Sequence, residues 1–264
     1  MKPVERWSLV AAGCGTVNLA CVRALAQAPI AEALDGASLI DPAVIRELNA
    51  LTCPEYAGHR DQYKVERLAE LVREWRGELP ITLSAQDVED VDWKGLLEVQ
   101  VEGRAAARLI VVLIGLDNWQ SRLNVIEDLR HTGSAEVLPI QVSVERDQAQ
   151  VAVFGNRWAD ACPACPMAFV PPSETCTLFS PEGELVRGDL QREARAAAEL
   201  VTRIVTDQLA ANGTASSWVA TKTNLHAERP GSRRFNLYTR TRIHMDNCNG
   251  PHSAATPIRW DRTG

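Results

Sequence analysis

The chain has 264 residues, 45 % of them hydrophobic and 23 % charged, and its 28 Lys+Arg against 34 Asp+Glu leave a formal net charge of −6. Such a chain has material for a real core, unlike a disordered one, and its acidic balance is wrong for gripping nucleic-acid phosphates. No apolar run reaches the ~18 residues of a membrane span, the N-terminus lacks a signal-peptide pattern, and scattered cysteines do not make a disulfide framework, so a cytoplasmic α/β protein is expected.

The first apolar run, from Trp7 to Ala12, reads as a strand and meets Gly13-Cys14-Gly15 at once. A helix follows from Val17 to Ala26, then a short strand, Ala37 to Ile40, ending in Asp41. This is the length of one βαβ unit. Lys64 to Trp75 is amphipathic, with Val65, Leu68, Val72 and Trp75 at helical spacing. A third strand is expected over Leu79–Leu83. The continuous apolar run Leu109–Leu116 reads as a strand buried on both faces of a parallel sheet. A helix over Gln120–Leu129 and strands over Val137–Val144 and Gln150–Phe154 follow. Further on, Gly188–Leu209 reads as a long helix, and Trp218–Leu225 with Arg234–Tyr238 as a hairpin. The alternation predicts a Rossmann-like doubly wound sheet. Residues 1–160 form its nucleotide-binding part, and residues 161–264 complete the same domain with a crossover loop, a long helix and C-terminal strands.

A glycine turn between strand and helix brings backbone N–H groups to a phosphate at the helix's positive end. Here only two glycines of the G-x-G-x-x-G fingerprint are present, because Asn18 stands in the last place. The same turn serves equally to pack a helix on a strand. Asp41, at the end of the second strand, is placed to hold ribose hydroxyls or to cap the next helix. Asp117 ends the buried central strand in Gly115-Leu116-Asp117-Asn118-Trp119-Gln120-Ser121-Arg122. A carboxylate there suits Mg²⁺ on nucleotide phosphates, or an N-cap.

The order Gly13-x-Gly15, Asp41, Asn49, Lys64, Asp117-Asn118-x-x-Ser121-Arg122, then Cys162-x-x-Cys165 and Cys176, resembles the ThiF/MoeB/HesA family of ubiquitin-activating-enzyme-like adenylyltransferases. The resemblance covers nearly the whole chain. It implies that Gly13, Gly15, Asp41, Asn49, Lys64 and Asp117 bind ATP, with Asp117 on Mg²⁺ and Lys64 on the phosphates. The implied reaction joins a C-terminal glycine carboxylate of a small ubiquitin-like or sulfur-carrier protein, or of a peptide, to AMP and releases pyrophosphate. A homodimer, or a dimer with a paralogue, is implied as well. The chain departs from the family at Thr16 and Asn18, where glycines are usual, at Ala43, where a second Asp is usual, and at Thr52, where an arginine is usual. Arg46 and Arg60 are the cations near enough in sequence to replace that arginine. These departures also suit a catalytically degenerate subunit that binds a ubiquitin-like protein or an active paralogue.

Cys162-x-x-Cys165, followed much later by Cys248 and His252, has the spacing of a closed structural Zn²⁺ site, with His244 the competitor for the fourth place. A redox-active Cys-x-x-Cys is the alternative, although no helix start or thioredoxin-like pattern surrounds it. Cys176 lies in the segment that resembles the family's crossover loop, where some members carry an acyl or sulfur group on a cysteine. That role needs a lowered thiol pKa, and a cysteine there is equally readable as a bystander.

Overall fold

The computed structural model describes residues 6–101, 108–132, 137–145, 148–153, 187–210, 221–227 and 233–238. Strands β1 (Arg6–Ala12), β2 (Leu34–Ile40), β3 (Ile81–Ser84), β4 (Arg108–Ile114), β5 (Val137–Glu145), β6 (Gln148–Val153), β7 (Thr221–Ala227) and β8 (Arg233–Tyr238) form one sheet. Its order is β3-β2-β1-β4-β5-β6-β7-β8. The first five strands in space run parallel, and β6, β7 and β8 extend the sheet antiparallel. The direction of winding reverses between β1 and β4, which opens a crevice at their carboxyl ends.

Helices α1 (Thr16–Gln27), α2 (Glu47–Thr52), α3 (Lys64–Arg76), α4 (Trp93–Val101), α5 (Trp119–His131) and α6 (Arg187–Ala210) flank this sheet. Val22 and Leu25 of α1, Leu68 and Val72 of α3, and Val201 and Ile204 of α6 pack on Leu9, Leu39, Val111 and Leu113. On the opposite face Trp93 and Leu97 of α4 and Val125, Ile126 and Leu129 of α5 pack on Val10, Ile40, Ile110, Val112 and Ile114. Alternate residues of β4 from Leu109 to Ile114 therefore enter two different cores, which is why that run is apolar without interruption. Each such Leu or Ile contributes about 1.5–3 kcal/mol of burial. No helix among the described residues is long and apolar enough to cross a membrane.

Most boundaries fall within two residues of the sequence reading, and three differences are instructive. β2 begins at Leu34, three residues before the expected Ala37, because Leu34 and Gly36 already pair with Trp7 and Ser8 of β1 across a register shift. β4 stops at Ile114 rather than Leu116, where Gly115 turns the chain into the crevice. The sequence gives no sign of helix α4, because Gly95 interrupts the pattern; Trp93 and Leu97 are buried in the core and Leu96 packs against it.

Candidate functional site

The site is built from the loops that leave β1, β2, β3 and β4. At the end of β1, Gly13 takes φ +87°, a conformation L side chains rarely adopt, and its N–H donates to the Ile40 carbonyl at 2.8 Å. A methyl group on Gly13 would meet the Gly115 carbonyl oxygen at 2.6 Å, so the fold itself demands glycine. Gly15 is different. Its φ is −75°, and a methyl group there would meet no atom within 4 Å. The bare Cα leaves open room in front of α1, whose first turn carries no side-chain cap and no acidic residue. The N–H groups of that turn are the ones an α-helix leaves without intrahelical partners, at its positive end.

Asp41 leaves β2 with both carboxylate oxygens engaged: Oδ2 accepts from the Cys14 N–H at 2.7 Å and Oδ1 from the Ala43 N–H at 2.8 Å. It therefore ties the glycine turn to the β2 exit, and each oxygen keeps a second lone pair. Tyr56 reinforces this corner by donating its hydroxyl to the Cys14 carbonyl. Burial, with Asp41 adding, pushes the Cys14 thiol well above its ordinary pKa, so the cysteine inside the turn is a neutral core group. Lys64 is brought to the same rim because its N–H, at the start of α3, donates to the Ala43 carbonyl at 3.0 Å.

The connection after β4 removes the cap reading of Asp117. The cap of α5 is Asn118, whose Oδ1 accepts from the N–H groups of Gln120 at 2.8 Å and Ser121 at 3.3 Å. Asp117 is exposed and has no hydrogen-bond or ion-pair partner among the described residues. Arg122 folds back to donate from Nε to the Leu116 carbonyl and holds the connection in place.

Gly13, Gly15, Asp41, Lys64 and Asp117 line one open cavity of about 360 Å³, together with Ile40, Pro42, Ala43, Val88, Leu116 and Ser121. Asp87 and Glu89, which sequence reasoning missed, line it too. They sit at and beside the short 3-10 turn Val88–Asp90 after β3, and Ser121 Oγ donates to Glu89. Their one signal was position: the loop after β3 must end beside the loop carrying Asp41. Four carboxylates thus face one lysine among the lining residues. A bare polyphosphate is repelled by such a wall, and a divalent cation bound with the phosphates removes the repulsion. Among the described residues no three acidic, His or Cys groups are close enough to hold a metal by themselves. An exposed carboxylate without a partner among the described residues, as at Asp117, has the chemistry to hold Mg²⁺ together with substrate phosphates.

Other expected residues lie elsewhere. Asn49 does not line the cavity: its Oδ1 accepts from the Arg46 N–H at 2.9 Å and stabilises the start of α2. Thr52 is buried, with its hydroxyl on the Leu48 and Asn49 carbonyls. Arg46 and Arg60 are exposed, outside the cavity lining, and Arg60 sits 3.7 Å from Asp61. Thr16 and Asn18 also stay out of the lining. Thr16 borders a separate groove of about 420 Å³ between α1 and α6, where Arg23 pairs with Glu55 at 2.8 Å. None of the residues expected to bind nucleotide reaches that groove. Cys162, Cys165, Cys176, His244, Cys248 and His252 lie outside the described residues.

No protein-family profile matches the chain, and no curated protein does. Solved structures do. PaaA is similar with a TM-score of 0.58 at 11 % identity, over 89 % of this chain and 73 % of PaaA. E. coli MccB crystallised with ATP is similar with a TM-score of 0.59 at 14 % identity, over 93 % of this chain and 67 % of MccB. E. coli MccB with AMPCPP and MccA gives 0.57 at 12 % identity, over 93 % of this chain and 66 % of MccB. The chain spans about two thirds of MccB's length and shares the fold of these proteins. At these identities the likeness is one of fold.

Proposed function

We propose that the chain uses ATP to adenylate the C-terminal carboxylate of a peptide or small protein, forming an acyl-adenylate and pyrophosphate. The observation that carries this reading is the meeting of Gly13, Gly15, Asp41, Lys64 and an unpartnered Asp117 around one cavity at the carboxyl ends of β1, β2 and β4. The presence of ATP in one MccB crystal structure supports the nucleotide, and that of MccA in others supports a peptide partner. A ubiquitin-like or sulfur-carrier protein presents the same terminal carboxylate.

Each residue has a part suited to its chemistry. The first-turn N–H groups of α1 hold the phosphates, with the bare Gly15 giving them room. Asp41 offers its spare lone pairs to the ribose hydroxyls while it keeps the turn in shape. Lys64 neutralises phosphate charge, and Asp117 holds Mg²⁺, which when bound offsets the negative wall and withdraws charge from the phosphates. The acceptor carboxylate oxygen attacks the α-phosphorus, the bond from that phosphorus to the bridging oxygen breaks, and the electron pair leaves with pyrophosphate. Nothing here needs covalent help from the protein, so positioning and charge neutralisation carry the rate.

The Cys176 thiolate then attacks the acyl carbonyl carbon of the adenylate, the bond from that carbon to the AMP oxygen breaks, and AMP leaves with the electron pair, giving a thioester. Cys162, Cys165, Cys248 and His252 hold one structural Zn²⁺, a thiolate and imidazole set that suits that metal. The working assembly is a homodimer or a pair with a paralogue. A second reading is a subunit that binds its partner without turnover, which the single lysine facing four carboxylates favours. ATP–pyrophosphate exchange with a candidate acceptor tests the choice. Exchange that disappears in Asp117→Ala supports the enzyme, and exchange that survives it refutes the assigned site.

A further inference from the structure

Asn18 occupies the place of the fingerprint's last glycine, a residue whose usual service is to let helix and strand pack closely. Its side chain is fully buried, and its Nδ2 donates to two backbone carbonyls, Ala12 at 2.9 Å and Gly13 at 2.7 Å. The Gly115 N–H reaches the same Ala12 carbonyl at 3.0 Å. The Asn18 amide also fills the space above Gly115, where a methyl group would meet Oδ1 at 2.3 Å and Cγ at 2.4 Å. Gly13 in turn leaves no room for a methyl group against the Gly115 carbonyl. Asn18 therefore requires glycine at position 115, and the Gly115 carbonyl requires glycine at position 13.

We infer that Asn18 is a positioning residue that locks the phosphate-facing turn Gly13–Gly15 to the connection carrying Asp117, replacing the packing role of the missing glycine with a hydrogen-bonded side chain. This deepens the nucleotide reading above and rests on it. It reverses what the motif implies: the asparagine is not an obstruction in the phosphate site, since it lies beneath the turn and outside the cavity lining. Restoring the glycine removes both donors from the turn and leaves a void between β1, α1 and the β4 exit.

The test compares wild type, Asn18→Gly, Asn18→Asp, Gly115→Ala and the pair Asn18→Gly/Gly115→Ala, each shown to be folded by circular dichroism. Mg·ATP binding by calorimetry, well below every melting temperature, should be weaker by about tenfold or more in Asn18→Gly and in the isosteric Asn18→Asp, as lost hydrogen bonds at a pre-ordered turn require. Hydrogen exchange at the Cys14, Gly15 and Thr16 amides should accelerate by a similar factor in the ligand-free protein. Gly115→Ala should lower the melting temperature in wild type and leave it unchanged in Asn18→Gly, because the added methyl group then has somewhere to go. Asn18→Gly that binds Mg·ATP as tightly as wild type overturns the inference. So does turn exchange that stays slow, or a Gly115→Ala penalty equal in both backgrounds. Wild type that binds no Mg·ATP sinks the nucleotide reading alone, since exchange and the double-mutant cycle still decide the role of Asn18. Should Asn18→Gly fail to fold, Asn18→Asp is read by the same measurements, with Asn18→Ala taking its place in the double-mutant cycle.

Discussion

Asp41 and Asp117 are carboxylates on one cavity, yet they carry opposite burdens, and a matched pair of Asn substitutions separates them. Asp41 is 8 % exposed and accepts from two backbone N–H groups, Cys14 at 2.7 Å and Ala43 at 2.8 Å. Asparagine keeps one acceptor oxygen, so whichever way it turns, its NH₂ faces a backbone donor. One buried N–H loses its partner, at about 1–3 kcal/mol, and the other bond drops from charge-assisted to neutral strength, about 1 kcal/mol more. A loss of ~2–4 kcal/mol is expected for Asp41→Asn, and at ~2–4 °C per kcal/mol for a chain of this size the melting temperature falls by roughly 5–15 °C. Asp117, exposed and without a partner among the described residues, has nothing of this kind to lose. Asp117→Asn should stay within ~0.5 kcal/mol of wild type, as for other surface sites, while pyrophosphate exchange disappears. Thermal and urea unfolding beside the exchange assay measure both. The reasoning is refuted if Asp41→Asn melts with wild type, or if Asp117→Asn is the variant that loses stability.

Gly15→Ala should leave stability within ~0.5 kcal/mol of wild type, because its methyl group meets no atom, and should weaken Mg·ATP binding by tenfold or more in calorimetry. Cys176→Ala should keep wild-type pyrophosphate exchange and abolish only a thioester seen on non-reducing gels. Protein purified without chelators should contain about one Zn²⁺ per chain, and Cys162→Ser or Cys248→Ser should lower both metal content and melting temperature. Burial pushes the thiols of Cys21 and Cys53 from the usual 9.0 up to about 12. The unfolded chain ionises at the ordinary value, so the stability these neutral thiols hold is whole below about pH 9 and drains between pH 9 and 12. Each thiol adds ~1.4 kcal/mol per pH unit to that slope, and Cys21→Ala should flatten the urea-unfolding slope by one such share. An unchanged slope would show that Cys21 ionises in the folded state.

The elements legible in the sequence were those whose apolar spacing is imposed by burial. The β4 run is apolar throughout because both faces are covered, and α3 and α6 show their core faces at three- and four-residue steps. Gly13, Gly15, Asp41 and Asp117 were legible because topology puts strand ends together. Asn18 was not: a motif compares residue types, and only coordinates show its amide under the turn rather than among the phosphates. Asp87 and Glu89 belong to a short loop with no period, so nothing in their spacing marks them. Asn49 matched its family position and still serves the start of α2, because a short helix needs a local acceptor there.

Helix α3 begins with Lys64 at the cavity rim and is capped by Gly77, which takes φ +80° in open space at the amino-terminal end of the strands, just before β3. Thirteen residues at ~1.5 Å each put about 20 Å of rigid rod between the two ends. A fluorophore, affinity handle or inserted peptide at the exposed 77–78 junction therefore sits clear of a nucleotide bound near Lys64. The same rod fixes that attachment in orientation to the crevice, so distances measured from it to a labelled acceptor report where the acceptor lies.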